Sequence, residues 1–132
     1  AAAFQALTIF FGILTTGSGP HAGDADAPRN GLNSEALQHI HSVPAYIAVG
    51  LTVLVALLSL RNSRQLSVAL AAVLCVNILQ ILVGIAQSHW GLPPLLVATH
   101  MLLACLVAAG MTWGLLVARG VASRTEEVHS LR

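Results

Sequence analysis

The sequence predicts an all-α integral-membrane protein, a four-helix bundle with apolar helices that cross the bilayer. Of its residues 56% are hydrophobic and 8% are charged, and lysine is absent, which leaves too little polar surface for a water-soluble globule. Three segments, at about 35–60, 66–88 and 93–118, hold the roughly 20 apolar residues that one bilayer crossing needs. A fourth uncharged segment, 1–16, is predicted to be the first helix.

The first segment is shorter than a full crossing, since it gives about 24 Å of helix against a hydrocarbon core of roughly 30 Å. It opens Ala1-Ala2-Ala3 without a methionine or a basic flank, so we expect a longer protein in which about eight more residues complete this helix. The predicted membrane domain covers 1–118, and residues 119–132 are predicted to form a polar cytoplasmic tail.

Arginines set the predicted orientation. Arg61 and Arg64 lie in one short connection, and positive charge is concentrated on the cytoplasmic side of membrane proteins. The opposite connections, 17–33 and 89–92, should then face outward, and both termini should be cytoplasmic. Further arginines follow the last helix at Arg119, Arg124 and Arg132, whereas Asp24 and Asp26 lie in the longer outer loop.

The sequence supports neither nucleic-acid binding nor a disulfide framework. Six dispersed arginines form no basic stripe, so nucleic acid is not a predicted partner. Cys75 and Cys105 lie within apolar runs, where a thiol behaves as a small hydrophobic group, so we do not expect a disulfide framework.

Two histidines have unusual positions within the apolar helices. His100 lies well inside an apolar helical run of the 54-residue stretch Gln65–Ala118, which contains no Lys, Arg, Asp or Glu, and such an ionisable residue inside a membrane helix is a candidate functional site. His41 lies seven residues past Ser34, the predicted N-cap of the second helix, and His100 lies seven past Pro93. Both should therefore sit about 10 Å below the same membrane face, a geometry that suits a heme between two imidazoles.

Other interpretations of the histidines stay open. His39 is the alternative ligand to His41, although it points about 200° away around the helix. His41 and His100 could instead each be buried and hydrogen-bonded to a neighbouring helix. His21 and His89 are expected at the outer water boundary, and His129 in the polar tail.

A weak internal repeat accompanies the two histidines. The segment Gln5–Gly17 contains Phe-Phe-Gly-Ile-Leu and the segment Gln80–Gly91 contains Leu-Val-Gly-Ile-Ala, and each precedes a helix with a histidine. The repeat predicts one helix pair used twice.

Several motifs together resemble the carboxy-terminal half of heme A synthase, most closely its actinobacterial members, over nearly the whole chain. The motifs are Thr16-Gly17-Ser18-Gly19-Pro20-His21-Ala22-Gly23-Asp24, then Gln38-His39-Ile40-His41, then Gly91-Leu92-Pro93, and Leu95-Leu96-Val97-Ala98-Thr99-His100-Met101-Leu102.

The resemblance implies an eight-helix, pseudo-symmetric fold in a bacterial cell membrane, of which this chain is one half. The family oxidises a ring methyl of heme o to the formyl group of heme a, and its carboxy-terminal half carries heme b, so the resemblance implies His41 and His100 as axial ligands of the iron. Heme o or heme a are the alternative occupants. The implied partner is the amino-terminal half or a second copy of this chain, beside an electron donor or acceptor.

Two features depart from the family. Glu35 is only an imperfect counterpart of the glutamate near the substrate-side histidine, and the paired outer-loop cysteines of some members are absent.

We expect the glycine-rich loop 17–33 to cap the heme edge, with Arg29 facing a propionate or, alternatively, lipid headgroups. The rival functions are a non-enzymatic b-type membrane cytochrome, which passes electrons from a quinol or a partner protein, and a scaffold without metal.

Overall fold

Four α-helices form the described part of the chain, which contains no strand. The computed structural model describes residues 1–19, 28–61 and 63–130, with the backbone alone from 121 onward. This confirms the predicted all-helical class. In chain order the helices are α1 (Ala2–Ser18), α2 (Ser34–Ser59), α3 (Arg64–His89) and α4 (Pro94–Ser130).

Three of these helices are long and apolar enough to cross a membrane: Ser34–Ser59, Arg64–His89 and the Pro94–Gly120 part of α4. α1 is apolar but shorter, with 17 residues. Large apolar side chains cover the outside of the bundle, among them Leu95, which is 79% exposed, and Ile13 and Leu58, each 66% exposed. Such a surface suits lipid and not water.

The helix ends lie within two residues of the predicted ones, apart from the end of α4. Asn33 caps α2 in place of the predicted Ser34, because its side chain accepts a hydrogen bond from the backbone N–H of Ala36, as short polar N-cap residues do. α4 continues to Ser130, past the predicted boundary at 118. No proline follows Pro94, so nothing in the predicted tail breaks the helical backbone.

The helices alternate in direction and pack in ring order. α1 packs chiefly on α2 and α3 chiefly on α4, whereas α2 meets α3 less closely and α1 meets α4 least. α2 and α4 therefore lie across the bundle from each other. We call the end at which α1 and α3 begin the arginine end, because Arg61 and Arg64 lie there.

Burial repeats along the chain, in agreement with the predicted duplication of a helix pair. Three buried positions of α4 follow three of α2 at an offset of 59 residues, and buried Asn77 of α3 follows buried Gln5 of α1 at an offset of 72. The offset of 59 pairs Pro44 with Leu103, Ala48 with Val107, and Thr52 with Met111.

Close packing between α3 and α4 depends on Gly110, and we expect Gly110→Ala to lower the melting temperature. A Cβ there would lie 2.9 Å from Cγ2 of Val73, a side chain only 1% exposed. Overpacking costs about 1–3 kcal/mol, more than the roughly 1 kcal/mol that alanine gains in helix propensity. Thermal unfolding in detergent micelles measures the difference.

Gly50→Ala is the matched control, since a Cβ at Gly50 meets nothing within 4 Å. It should unfold at the same or a higher temperature than the original protein. If Gly110→Ala is as stable as this control, the close contact with Val73 is contradicted.

Candidate functional site

The structure brings together the two histidines that the sequence singled out. His41 of α2 and His100 of α4 face each other across the bundle, with their ring centroids 6.2 Å apart and an angle of 69° between the ring planes. Both side chains are half-buried. No other histidine pair in the described part of the chain makes such a ring contact.

His41 is held by the backbone of α1. Its Nδ1 lies 2.8 Å from the carbonyl oxygen of Thr8. A carbonyl oxygen can only accept, so Nδ1 carries the proton and donates it. In the neutral ring Nε2 then keeps its lone pair, and an imidazole fixed in this way through Nδ1 is the usual form of a metal-ligating histidine.

His100 is held by a side chain of α3. The amide nitrogen of Gln80 lies 3.3 Å from Nε2 of His100 and donates to it over this long distance. Nδ1 of His100 is buried and has no hydrogen-bond partner. The ring is therefore incompletely satisfied, as expected of a group that has a further interaction to make.

Two glycines let the histidine rings lie close against the odd-numbered helices. A Cβ at Gly12 of α1 would lie 3.0 Å from Cε1 of His41, and a Cβ at Gly84 of α3 would lie 3.2 Å from Cε1 of His100. These are the glycines of the repeated sequence, 72 residues apart. Thr8 and Gln80 are also 72 apart, so the partners of the two rings occupy equivalent positions.

Sequence reasoning missed Thr8 and Gln80 as partners of the histidines. Thr8 contributes through its carbonyl oxygen, which every residue type possesses, so no sequence signal marks it. Gln80 did carry a signal, because an amide in a long uncharged apolar helix needs a partner. Gly12 and Gly84 belong to the repeat found in the sequence, but the repeat did not reveal that they make room for the histidine rings.

A cavity of about 280 Å³ opens beside His41, at the end of the bundle opposite the arginine end. It reaches His41 and Gly84, and Tyr46, which is 61% exposed, lies at its edge. Polar side chains from three helices line it: Thr15, Thr16, Ser34, Gln38, His39, Ser42, Gln87 and Ser88. The lining suits a ligand with one polar edge.

The remaining predicted residues lie apart from the ring pair. His39 is exposed and lines the cavity. Arg29 is exposed on the segment before α2 and does not line the cavity. Glu35 is exposed in the first turn of α2, and His89 is exposed at the end of α3, with Nδ1 donating to the carbonyl of Ile85.

The remaining predictions concern the two cysteines and residues outside the described part of the chain. Cys75 and Cys105 are free and exposed, so they point outward instead of packing in the core. Most of the predicted outer loop, including His21, Asp24 and Asp26, lies outside the described residues, as do the side chain of His129 and Arg132.

The described residues contain no group of three or more His, Cys, Asp or Glu side chains that could hold a bare metal ion. A heme iron needs no such group, because the porphyrin supplies four of its ligands and the protein only the axial ones. Comparisons with protein-family models, curated proteins and solved structures find no match to this chain. The resemblance to heme A synthase therefore stays a prediction.

Gly12→Ala should displace the imidazole of His41 from α1. The added Cβ at 3.0 Å from the ring forces the ring outward and weakens its bond to the Thr8 carbonyl, which contributes about 1 kcal/mol. Nitrogen NMR of histidine-labelled protein should show a changed Nδ1 signal for His41 and an unchanged one for His89. An unaltered His41 signal would contradict the close approach of ring and glycine.

Proposed function

We propose that the chain binds an iron porphyrin between His41 and His100 and is the heme b-binding half of a heme A synthase in a bacterial cell membrane. The observation that carries this proposal is the pair of imidazoles facing each other inside a bundle of apolar helices, with 6.2 Å between their centroids.

The spacing supports an iron between the rings. A metal at about 2 Å from one nitrogen of each imidazole places the ring centroids about 6 Å apart. The angle of 69° between the rings is compatible with this arrangement, because each imidazole can rotate about its own bond to the metal. The cavity beside His41 reaches Gly84, which lies next to the His100 ring.

The surroundings of His41 also fit such a group, whereas His100 would have to exchange its bond from the Gln80 amide for one to the metal. The Nδ1–H bond of His41 to the Thr8 carbonyl leaves Nε2 as the ligating atom and fixes the direction of its lone pair. Gly12 and Gly84 keep side chains away from the level of the two rings. When bound, a heme with two axial imidazoles supplies electron transfer, since both axial positions are filled.

Oxidation of heme o needs a substrate heme with an accessible position, which this pair of ligands does not leave. We therefore propose that a second four-helix unit, the amino-terminal half of the enzyme or another copy of this chain, holds the substrate and completes an eight-helix fold. In this proposal the arginine end faces the cytoplasm, together with both termini.

A non-enzymatic b-type cytochrome is the second candidate. It is favoured by the single pair of facing histidines in the described part of the chain, since one bis-histidine heme is enough to pass electrons between a quinol and a partner protein. It differs from the enzyme in needing no second heme.

His41→Ala and His100→Ala should each abolish stable heme binding, because a single axial ligand remains. We would purify each variant from cells that make heme b and heme o, record the pyridine hemochrome spectrum and identify the extracted heme by chromatography. His89→Ala is the control and should keep its heme. A full Soret band in His100→Ala would show that this residue is not an axial ligand.

The identity of the extracted heme separates the candidates. Heme b alone supports a cofactor domain, and conversion of heme o to heme a on adding the other half, or in a dimer, supports the enzyme. Heme b with no conversion supports the cytochrome. A colourless protein would overturn both and leave the scaffold interpretation.

Arg29→Glu tests the proposed contact with a propionate. If the guanidinium faces that carboxylate, charge reversal should lower the heme midpoint potential, because negative charge near the iron stabilises the ferric state. Redox titration of the purified protein measures this shift. An unchanged potential would favour an arginine that faces lipid headgroups.

A further inference from the structure

The two facing histidines are not equally open to a ligand. His41 lines the cavity, and no hydrogen-bond donor among the described residues covers its Nε2. His100 does not line the cavity but lies beside Gly84, which does. Nε2 of His100 is already occupied, because the amide of Gln80 donates to it. A ligand that enters through the cavity therefore meets an open imidazole at His41 and a covered one at His100.

The repeated helix pair shows which residue makes this difference. Thr8 occupies the place in α1 that Gln80 occupies in α3. The hydroxyl of Thr8 donates to the carbonyl of Phe4 at 2.8 Å, within its own helix, and the Thr8 carbonyl holds Nδ1 of His41. The longer side chain of Gln80 instead reaches Nε2 of the facing ring. The covered nitrogen is therefore a consequence of a glutamine where the other helix pair has a threonine.

The contact between Gln80 and His100 is poorly satisfied on both sides. Its two nitrogen atoms are 3.3 Å apart, longer than the roughly 2.9–3.0 Å of a typical hydrogen bond from an N–H group. Oε1 of Gln80 and Nδ1 of His100 are buried without a hydrogen-bond partner, although buried polar atoms in folded proteins almost always have one. Little free energy therefore holds the amide on the ring, and a stronger ligand of Nε2 can replace it.

We propose that Gln80 is a removable cap on Nε2 of His100, which occupies this nitrogen in the empty site and turns away when a metal takes its place. The inference rests on the proposed function, in which the metal is a heme iron. The exchange breaks one hydrogen bond and forms one metal–nitrogen bond, while the neutral ring keeps its proton on Nδ1. Gln80 is thus a positioning residue and not a ligand, and it makes His100 the later of the two attachments.

The experiment compares Gln80→Leu with Gln65→Leu in the full purified chain. Gln80→Leu removes the amide and leaves an apolar side chain of similar size. Gln65→Leu is the same substitution at an exposed position near the start of the same helix, about four turns away. For each protein we would record nitrogen NMR spectra of the heme-free, histidine-labelled chain, its melting temperature, and its affinity for heme b by titration at the Soret band.

Gln80→Leu should shift the Nε2 signal of His100, because that nitrogen loses its donor, and leave the signals of His41 in place. It should bind heme b about fivefold more tightly than the original protein, since no hydrogen bond has to be broken first. Its melting temperature should not fall, because a poorly satisfied buried amide is replaced by an apolar group. Gln65→Leu should match the original protein in both the NMR spectrum and the affinity.

An unchanged Nε2 signal of His100 in Gln80→Leu would overturn the cap, and so would a heme affinity that is equal to or weaker than that of the original protein. In those cases the original protein still binds heme, so the proposed function stands while the cap fails. If neither the original protein nor Gln80→Leu binds heme, the proposed function fails and the cap with it.

Gln80→Asn is the second variant, should Gln80→Leu not fold. It keeps an amide but shortens the side chain by one methylene, so that the amide no longer reaches Nε2 of His100. The shorter amide can bond within its own helix, as Asn77 does to the carbonyl of Val73 at 3.0 Å. Gln80→Asn should therefore shift the His100 signal and tighten heme binding as Gln80→Leu does, and an affinity equal to that of the original protein would count against the cap.

Discussion

The scarcity of water inside a bundle of apolar helices constrains everything else in this protein. A polar group placed there must find its partner on another helix or on its own backbone. His41 finds such a partner on α1, the Thr8 carbonyl, and one nitrogen of His100 finds one on α3, the Gln80 amide. The rings also meet each other, so this one layer links all four helices and fixes their relative depth.

The repeated helix pair makes the layer nearly symmetric, but the two rings are held differently. His41 donates through Nδ1 to a backbone carbonyl, whereas His100 accepts at Nε2 from an amide. A carbonyl partner increases the basicity of the ligating imidazole. As axial ligands the two rings would therefore differ, because His41 presents a free Nε2 while His100 would have to exchange the bond from the Gln80 amide for one to the metal, even though Gly12 and Gly84 occupy equivalent places beside them.

Much of this arrangement was predictable from sequence because depth in a helix follows from counting. The equal distances of His41 and His100 from the predicted helix starts placed them at one level, and the error of one residue in the cap of α2 shifts that level by only about 1.5 Å. The partners of the rings were less accessible. A backbone carbonyl such as that of Thr8 has no sequence signature, and the direction of Gln80 depends on how α3 is rotated against α4.

The polar groups on either side of the histidine layer would orient an asymmetric ligand. The cavity side is open and lined by hydroxyl and amide groups such as those of Thr15, Gln87 and Ser88, where carboxylates can be solvated or hydrogen-bonded. The arginine side holds the buried amides of Gln5 and Asn77, which are neutral and cannot offset a buried carboxylate. A porphyrin in the proposed site would therefore place its propionates at the cavity and its opposite edge against the amides. The same asymmetry would exclude the reversed orientation, because burial of two charged propionates beside neutral amides is costly.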